Sequence, residues 1–199
     1  MTEQVHLNLF ERFFLNTLTN VYKKLRQETK DRYNRMNPFY EDLFSWKERG
    51  AFWSKDEKGI TVYNSATVIG SVDIGRNTWV GPFTILDGSG GLKIGSHCSV
   101  AAGVKIMTHD TVKWALSAGK HAYEYDSSSI GDNCFIGSHS IITKGVKIGD
   151  HCLIAAGAVV TKSFPAFSII AGVPAEIIGS VQLTSDYQVV LKYFNNLKT

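Results

Sequence analysis

From residue 62 the chain divides into sixes: VYNSAT, VIGSVD, IGRNTW and VGPFTI, a longer LDGSGGLK, then IGSHCS, VAAGVK and IMTHDT. After a break the register returns as IGDNCF, IGSHSI, ITKGVK, IGDHCL, IAAGAV and VTKSFP, and nearly every first position is Ile, Val or Leu. A six-residue apolar period matches neither the 3.6 of a helix nor the alternation of an amphipathic strand. Each unit therefore contains a turn. If a hexad is one short strand plus a turn, three hexads close a triangular coil, and stacked coils share continuous ladders of backbone hydrogen bonds. The first position then points inward as an aliphatic stack. The fifth also turns inward, near a corner where space is short, and it holds Ala66, Val72, Thr78, Thr84, Cys98, Val104, Cys134, Ser140, Val146, Cys152 and Ala158. With about 4.8 Å between stacked strands, roughly five or six coils predict a prism about 25 to 30 Å tall.

The open ends of such a prism need covers. Leu7, Phe10, Phe13, Phe14, Leu18, Val21 and Leu25 recur at spacings of three and four within residues 5–36, which predicts an amphipathic helix ended by Asn37-Pro38. A second short helix is expected from about Pro38 to Arg49, and TSDYQVVLKYFNNL reads as a closing helix. The expected organisation is a helical cap over residues 1–60, a parallel β-helix over 61–180 and a C-terminal helix over 181–199. One segment breaks the repeat: residues 110–129, DTVKWALSAGKHAYEYDSSS, must leave the prism as a loop. A long loop on a rigid scaffold is usually functional or disordered, and Trp114, Tyr123 and Tyr125 argue for order.

Composition adds limits rather than a function. Of 199 residues, 44% are hydrophobic and 20% charged, as in an ordinary folded domain. A net charge of +3 is too weak to point to nucleic acid. The stretch VHLNLFERFFLNTL carries Glu11 and Arg12 within its apolar part and does not read as a signal peptide. Three cysteines, all at fifth positions and without a CxxC pair, fit small buried fillers in a reducing compartment. A cytoplasmic protein without integral membrane association is the expectation.

Taken together, TILDGSGGLKIG, KIMTHD, IGDNCFIGSHSIITKGVKIGD, IAAGAVVTK and AGVPAEIIG over residues 62–179 resemble the hexapeptide-repeat acyltransferases. The resemblance implies a mainly β fold with left-handed coils, a property that periodicity alone does not reveal. It also implies acetyl-CoA as acyl donor, no required metal, and a homotrimer with active sites between subunits. On this resemblance His109, in the last hexad before the loop, is the general base, for which a neutral imidazole is suited. Asp110 and Glu124 are the nearby acidic candidates for its orienting partner, and a solvated loop carboxylate is an equal reading of Asp110. Asp87 matches a position that contacts the acceptor sugar in galactoside-type enzymes, or is a turn residue before Gly88. Ser138 and Ala156 match turns along the pantetheine arm, with Ser138 near the thioester or simply a small turn residue. Thr161 and Lys162 match residues at the nucleotide end of coenzyme A, where Lys162 would meet phosphate or only solvent.

One departure concerns GVPAEIIG, where Glu176 and Gly179 stand in place of the arginines of galactoside- and maltose-type relatives. The loop VKWALSAGK is instead similar to that of bacterial enzymes that acetylate nucleotide-linked deoxyamino sugars for O-antigen or capsule synthesis. Lys113 would then face a diphosphate and Trp114 a ring of the acceptor, or Trp114 would pin the loop to a neighbouring subunit. The expected reaction is N-acetylation of a dTDP- or UDP-linked amino sugar. O-acetylation of a sugar is the alternative, and a γ-type carbonic anhydrase or a non-enzymatic scaffold are remoter ones. The zinc reading is weakened by spacing: His97 and His151 share one corner two rungs apart, roughly 9 to 10 Å, while His109 and His139 fall at the other two corners.

Overall fold

The computed structural model describes residues 6–53 and 59–194, and it divides into two compact units, residues 1–45 and 46–199. In the first, α1 spans Leu9–Tyr33 and α2 spans Phe39–Leu43. Asn8 and Glu11 form a reciprocal capping box at the start of α1, satisfying two backbone N–H groups that the helix leaves open. α2 is tied to α1 by an edge-on contact of Phe39 with Tyr22 at 5.1 Å and a hydrogen bond from Thr29 to Asp42. The expected second helix is two: Phe44 takes an extended conformation after α2, and α3 begins at Trp46 and runs to Phe52. The first residue of the expected long helix, Val5, lies outside the described residues. Among the described residues no helix is long and apolar enough to cross a membrane.

In the second unit the hexads close into coils. The first face stacks Thr61–Val62, Trp79–Val80, Ser99–Val100, Phe135–Ile136, Leu153–Ile154 and Ser168–Gly172, all parallel. The second stacks residues 67–68, 85–86, 105–106, 141–142 and 159–160. The third stacks residues 72–74, 92–94, 128–130 and 147–148, with a final bridge from Ile148 to Phe164. Five coils and the start of a sixth result. Every first-position aliphatic from Ile74 to Val160 is buried, and Val68, near the open end, is half-buried against the same core. Burial of each such side chain stabilises the prism by about 1.5–3 kcal/mol.

The three cysteines are buried at fifth positions, as their spacing predicts. They belong to a longer column in which Thr78, Cys98, Cys134 and Cys152 each donate to a backbone carbonyl of the same corner one coil on, while Ser168 donates to Pro165 within its own turn. A small donor there satisfies an acceptor that the turn leaves open.

α3 covers the first coil. Trp46 stacks on Tyr63 at 3.8 Å, and the Arg49 guanidinium donates to the carbonyls of Tyr63, Asn64 and Ala66. The far end closes differently from the expectation of a helix over 181–199. Ala175–Leu183 turns back antiparallel on Ser168–Gly172, and Val189–Tyr193 pairs antiparallel with it in turn. A free strand edge and a β-branched run, Val189-Val190, favour another ladder over a helix. The end of the expected helix, residues 195–199, lies outside the described residues.

Candidate active site

The second corner of the prism is irregular on two successive coils. On the second coil the enlarged LDGSGGLK unit lets Ile85–Ile94 run through the corner as one strand, beside Thr67–Ile74 below it. Gly88 permits this, since a Cβ there would lie 2.2 Å from the Ser71 carbonyl oxygen. On the third coil the chain leaves the prism after Ile106 and returns at Ser128. Leu86 pairs with Ile106, so Asp87 lies directly beneath residues 107–109.

That stacking brings Asp87 and His109 together: Nδ1 of the imidazole is 2.6 Å from Asp87 Oδ2. Asp87 is fully buried. Burial alone would raise its pKa, but donation from the Ser89 hydroxyl, the Thr108 and Ser89 backbone N–H groups and His109 holds the carboxyl well below the usual range. An ionised carboxylate only accepts, so Nδ1 carries a proton, and in a neutral imidazole the lone pair is then on Nε2. The side chain of His109 is 30% exposed, and its Nε2 has no hydrogen-bond partner among the described residues. Asp87 therefore stands behind the imidazole instead of facing an acceptor, because its oxygens are already taken. Thr108, which sequence reasoning passed over, donates its hydroxyl to the Asp87 backbone carbonyl and its amide to the Asp87 carboxylate. Its place in THD was the available signal.

The loop is ordered. It begins with His109–Asp110, paired antiparallel with Glu124–Tyr125, and between them lies α4, Val112–Leu116. Register sets His109 opposite Tyr125, their rings 5.8 Å apart and 26° from parallel, and Asp110 opposite Glu124. Neither acid orients the imidazole. Successive side chains in a strand point to opposite sides, which turns Asp110 away from the His109 ring. Its carboxylate meets Lys144 at 3.3 Å, and Glu124 meets Lys113 at 2.6 Å and Lys144 at 3.3 Å. The Val112 amide leads the groups that lower the pKa of Asp110, and hydrogen bonds from Lys113 and then Lys144 lower that of Glu124. Trp114 packs edge-on against Tyr123 at 5.5 Å and remains 43% exposed.

The expected donor residues divide between two corners. Thr161 and Lys162 continue the second corner upward from Thr143 and Lys144, one coil above them. Lys162 is held by both oxygens of Glu176, at 2.6 and 2.7 Å, so the acid that departs from the family pattern occupies the lysine expected to meet phosphate. Ser138 and Ala156 lie at the first corner, where the Gly157 amide donates to the Ser138 carbonyl oxygen. Within one chain the structure does not bring them to His109. His139 is also at the first corner, and His97 and His151 share the third, each histidine at a left-handed turn position. His97 and His151 pair there with Asn77 and Asn133.

Residues 128–162 match the family model described as a hexapeptide repeat of succinyl-transferase. The fold is that of the hexapeptide-repeat proteins, the left-handed parallel β-helix. Among solved structures of this fold, the protein is similar to the acetyltransferase VCA0836 of Vibrio cholerae in complex with acetyl coenzyme A, at 20% identity over 83% of this chain and 87% of that one, with a TM-score of 0.60. It is also similar to AntD, an N-acyltransferase of Bacillus cereus in complex with dTDP and 3-hydroxybutyryl-CoA, at 18% identity over 69% and 88% of the two chains, with a TM-score of 0.56. A stretch of 94 residues is 48% identical to Protein CapG of Staphylococcus aureus, covering 46% of this chain and 54% of CapG. The chain thus spans about half the length of this curated relative.

Proposed function

We propose that the protein is an acetyl-CoA-dependent sugar acetyltransferase in which His109 is the general base and Asp87 its orienting partner. The 2.6 Å contact between them carries this reading, because it selects the tautomer of the neutral imidazole whose lone pair is on Nε2, where the repeat opens. In the proposed reaction Nε2 takes the proton from the acceptor as its nitrogen or oxygen attacks the thioester carbonyl. The resulting oxyanion is stabilised by a backbone N–H of the Ser138 turn, and the proton leaves with the coenzyme A thiol. Ser138 and Ala156 lie at another corner of the same chain, so the donor turns come from a second copy in a homotrimer. Ionised Asp87 favours the imidazolium formed on the way.

The preferred acceptor is the amine of a nucleotide-linked deoxyamino sugar. Support comes from the VKWALSAGK loop and from the dTDP and acyl-CoA bound together in AntD. A sugar hydroxyl is the second reading, favoured by the His109–Asp87 pair itself, since a hydroxyl needs a base more than a neutral amine does. Thiol release from acetyl-CoA is measured with free and nucleotide-linked amino sugars and with neutral sugars, for the parent and His109→Ala. The expected result is turnover with a nucleotide-linked amino sugar and a loss of about a hundredfold or more in the variant. Full activity in His109→Ala would sink the mechanism, and turnover confined to neutral sugars would move the assignment to O-acetylation.

A further inference from the structure

Asp110 and Glu124 face each other across the loop hairpin, which places two carboxylates in one cross-strand pair. Like charges directly opposite are destabilising. Lys113 reaches only Glu124, whereas the Lys144 ammonium lies 3.3 Å from Asp110 Oδ2 and 3.3 Å from Glu124 Oε2, spanning both limbs. The two lysines differ in where they are rooted. Lys113 belongs to α4 and travels with the loop, and its side chain is 62% exposed. Lys144 belongs to the fourth coil, whose strand Ile141–Ile142 is laddered onto Lys105–Ile106 directly before the loop, and its side chain is only 23% exposed.

The same corner seats the returning limb. Gly145 has φ +77, and a Cβ there would lie 2.4 Å from Asp126 Oδ2. The Asp126 amide in turn donates to the Thr108 carbonyl, closing the base of the loop. Burial would lower the pKa of Lys144, but its two carboxylates outweigh burial and keep it charged. His109 comes immediately before Asp110 and Tyr125 immediately after Glu124, so whatever fixes the acidic pair fixes the two rings beside it.

We propose that Lys144 is a positioning residue for the His109 site: by bridging Asp110 and Glu124 it fastens the hairpin to the rigid prism and holds Tyr125 against the imidazole. It acts through the hairpin and not on the acyl group. The proposal rests on His109 being the base, and its test separates the two. The charged and titratable groups around His109 are Asp87 on the second coil, Asp110, Glu124 and Tyr125 on the hairpin, Lys113 on α4 and Lys144 on the fourth coil. Asp126 turns toward Gly145.

Lys144→Met, Lys144→Arg and the triple variant Asp110→Asn/Glu124→Gln/Lys144→Met are compared with the full-length parent. In Lys144→Met, amide exchange across residues 110–127 rises about tenfold, and kcat falls about tenfold while KM for acetyl-CoA stays within about twofold. Two unbalanced carboxylates also favour the imidazolium, so the acid limb of kcat/KM moves to higher pH. Lys144→Arg keeps the parent exchange and profile, and the triple variant returns the acid limb toward its parent position. Hydrogen exchange reads the hairpin whether or not the protein transfers acetyl groups. A parent without transferase activity would therefore remove the base assignment and leave the exchange result standing. Unchanged exchange in Lys144→Met overturns the proposal, and so does faster exchange with the parent's kcat and pH profile.

Discussion

A buried carboxylate stays ionised only where donors replace its water, and Asp87 receives them from Ser89, Thr108 and His109. Its pKa when folded lies below that of an unfolded aspartate. Its contribution to stability is therefore complete above the ordinary value of about 3.9 and fades only as pH falls toward the depressed one. Across the range where imidazoles titrate, Asp87 remains charged and contributes no limb of its own to the pH–rate profile. Asp87→Asn puts an amide behind the ring that can donate to Nδ1 and so favours the wrong tautomer. We expect a fall in kcat of about a hundredfold or more with little change in KM for acetyl-CoA, measured by steady-state kinetics on a variant with the parent circular dichroism spectrum. Parent-like kcat would show that the 2.6 Å contact does not set the tautomer.

The elements at the two ends of the β-helix solve one problem in different ways. Arg49 on α3 satisfies three carbonyls of the first coil, whereas the last coil is extended by an antiparallel hairpin. Gly179 makes that hairpin possible: a Cβ on it would lie 2.3 Å from the Lys192 carbonyl oxygen. The departure from arginine at this position thus has a packing reason, and Glu176 has an electrostatic one in Lys162. Gly179→Val should lift Val189–Tyr193 off its neighbour while sparing the coils. Hydrogen exchange would then speed up in residues 189–193 and remain slow in the first-face strands. Uniform loss of protection, or none, would contradict this account. A strand stands where a closing helix is expected because Val189, Val190, Leu191 and Tyr193 form an apolar cluster that suits either period; the free edge of Ala175–Leu183 decides between them.

At the scale of the whole molecule, the candidate base and the candidate donor turns occupy different corners of one prism. His109 sits at the second corner, Ser138 and Ala156 at the first, and a working site built from both requires another chain. Light scattering should give a mass about three times the 22.0 kDa of one chain. Mixing His109→Ala with Ala156→Trp, each inactive alone, should restore part of the activity after subunit exchange, because some interfaces then combine an intact base with an intact donor turn. Absence of any recovery in verified mixed oligomers would place base and donor turn on the same chain.

The coils, the inward aliphatic column, the cysteine positions and the existence of a loop after Ile106 were legible in the sequence, because a six-residue period is a local property that each hexad repeats; the loop returns at Ser128, so residues 128 and 129, expected in it, belong to the prism. The period also marks where it fails, just after His109, but the role expected of His109 came from the family resemblance and not from the period. What paired with His109 was not legible. Asp110 is adjacent in sequence but points away along a strand, whereas Asp87 is 22 residues distant and one rung below, brought there by the stacking of Leu86 against Ile106. The same distinction separates Lys113 from Lys144, and it pairs Lys162, expected to meet phosphate, with Glu176. Sequence alone determined the scaffold and the point at which it opens. Only the tertiary structure decided which charges meet there, since those contacts cross from one coil to the next and depend on register between rungs.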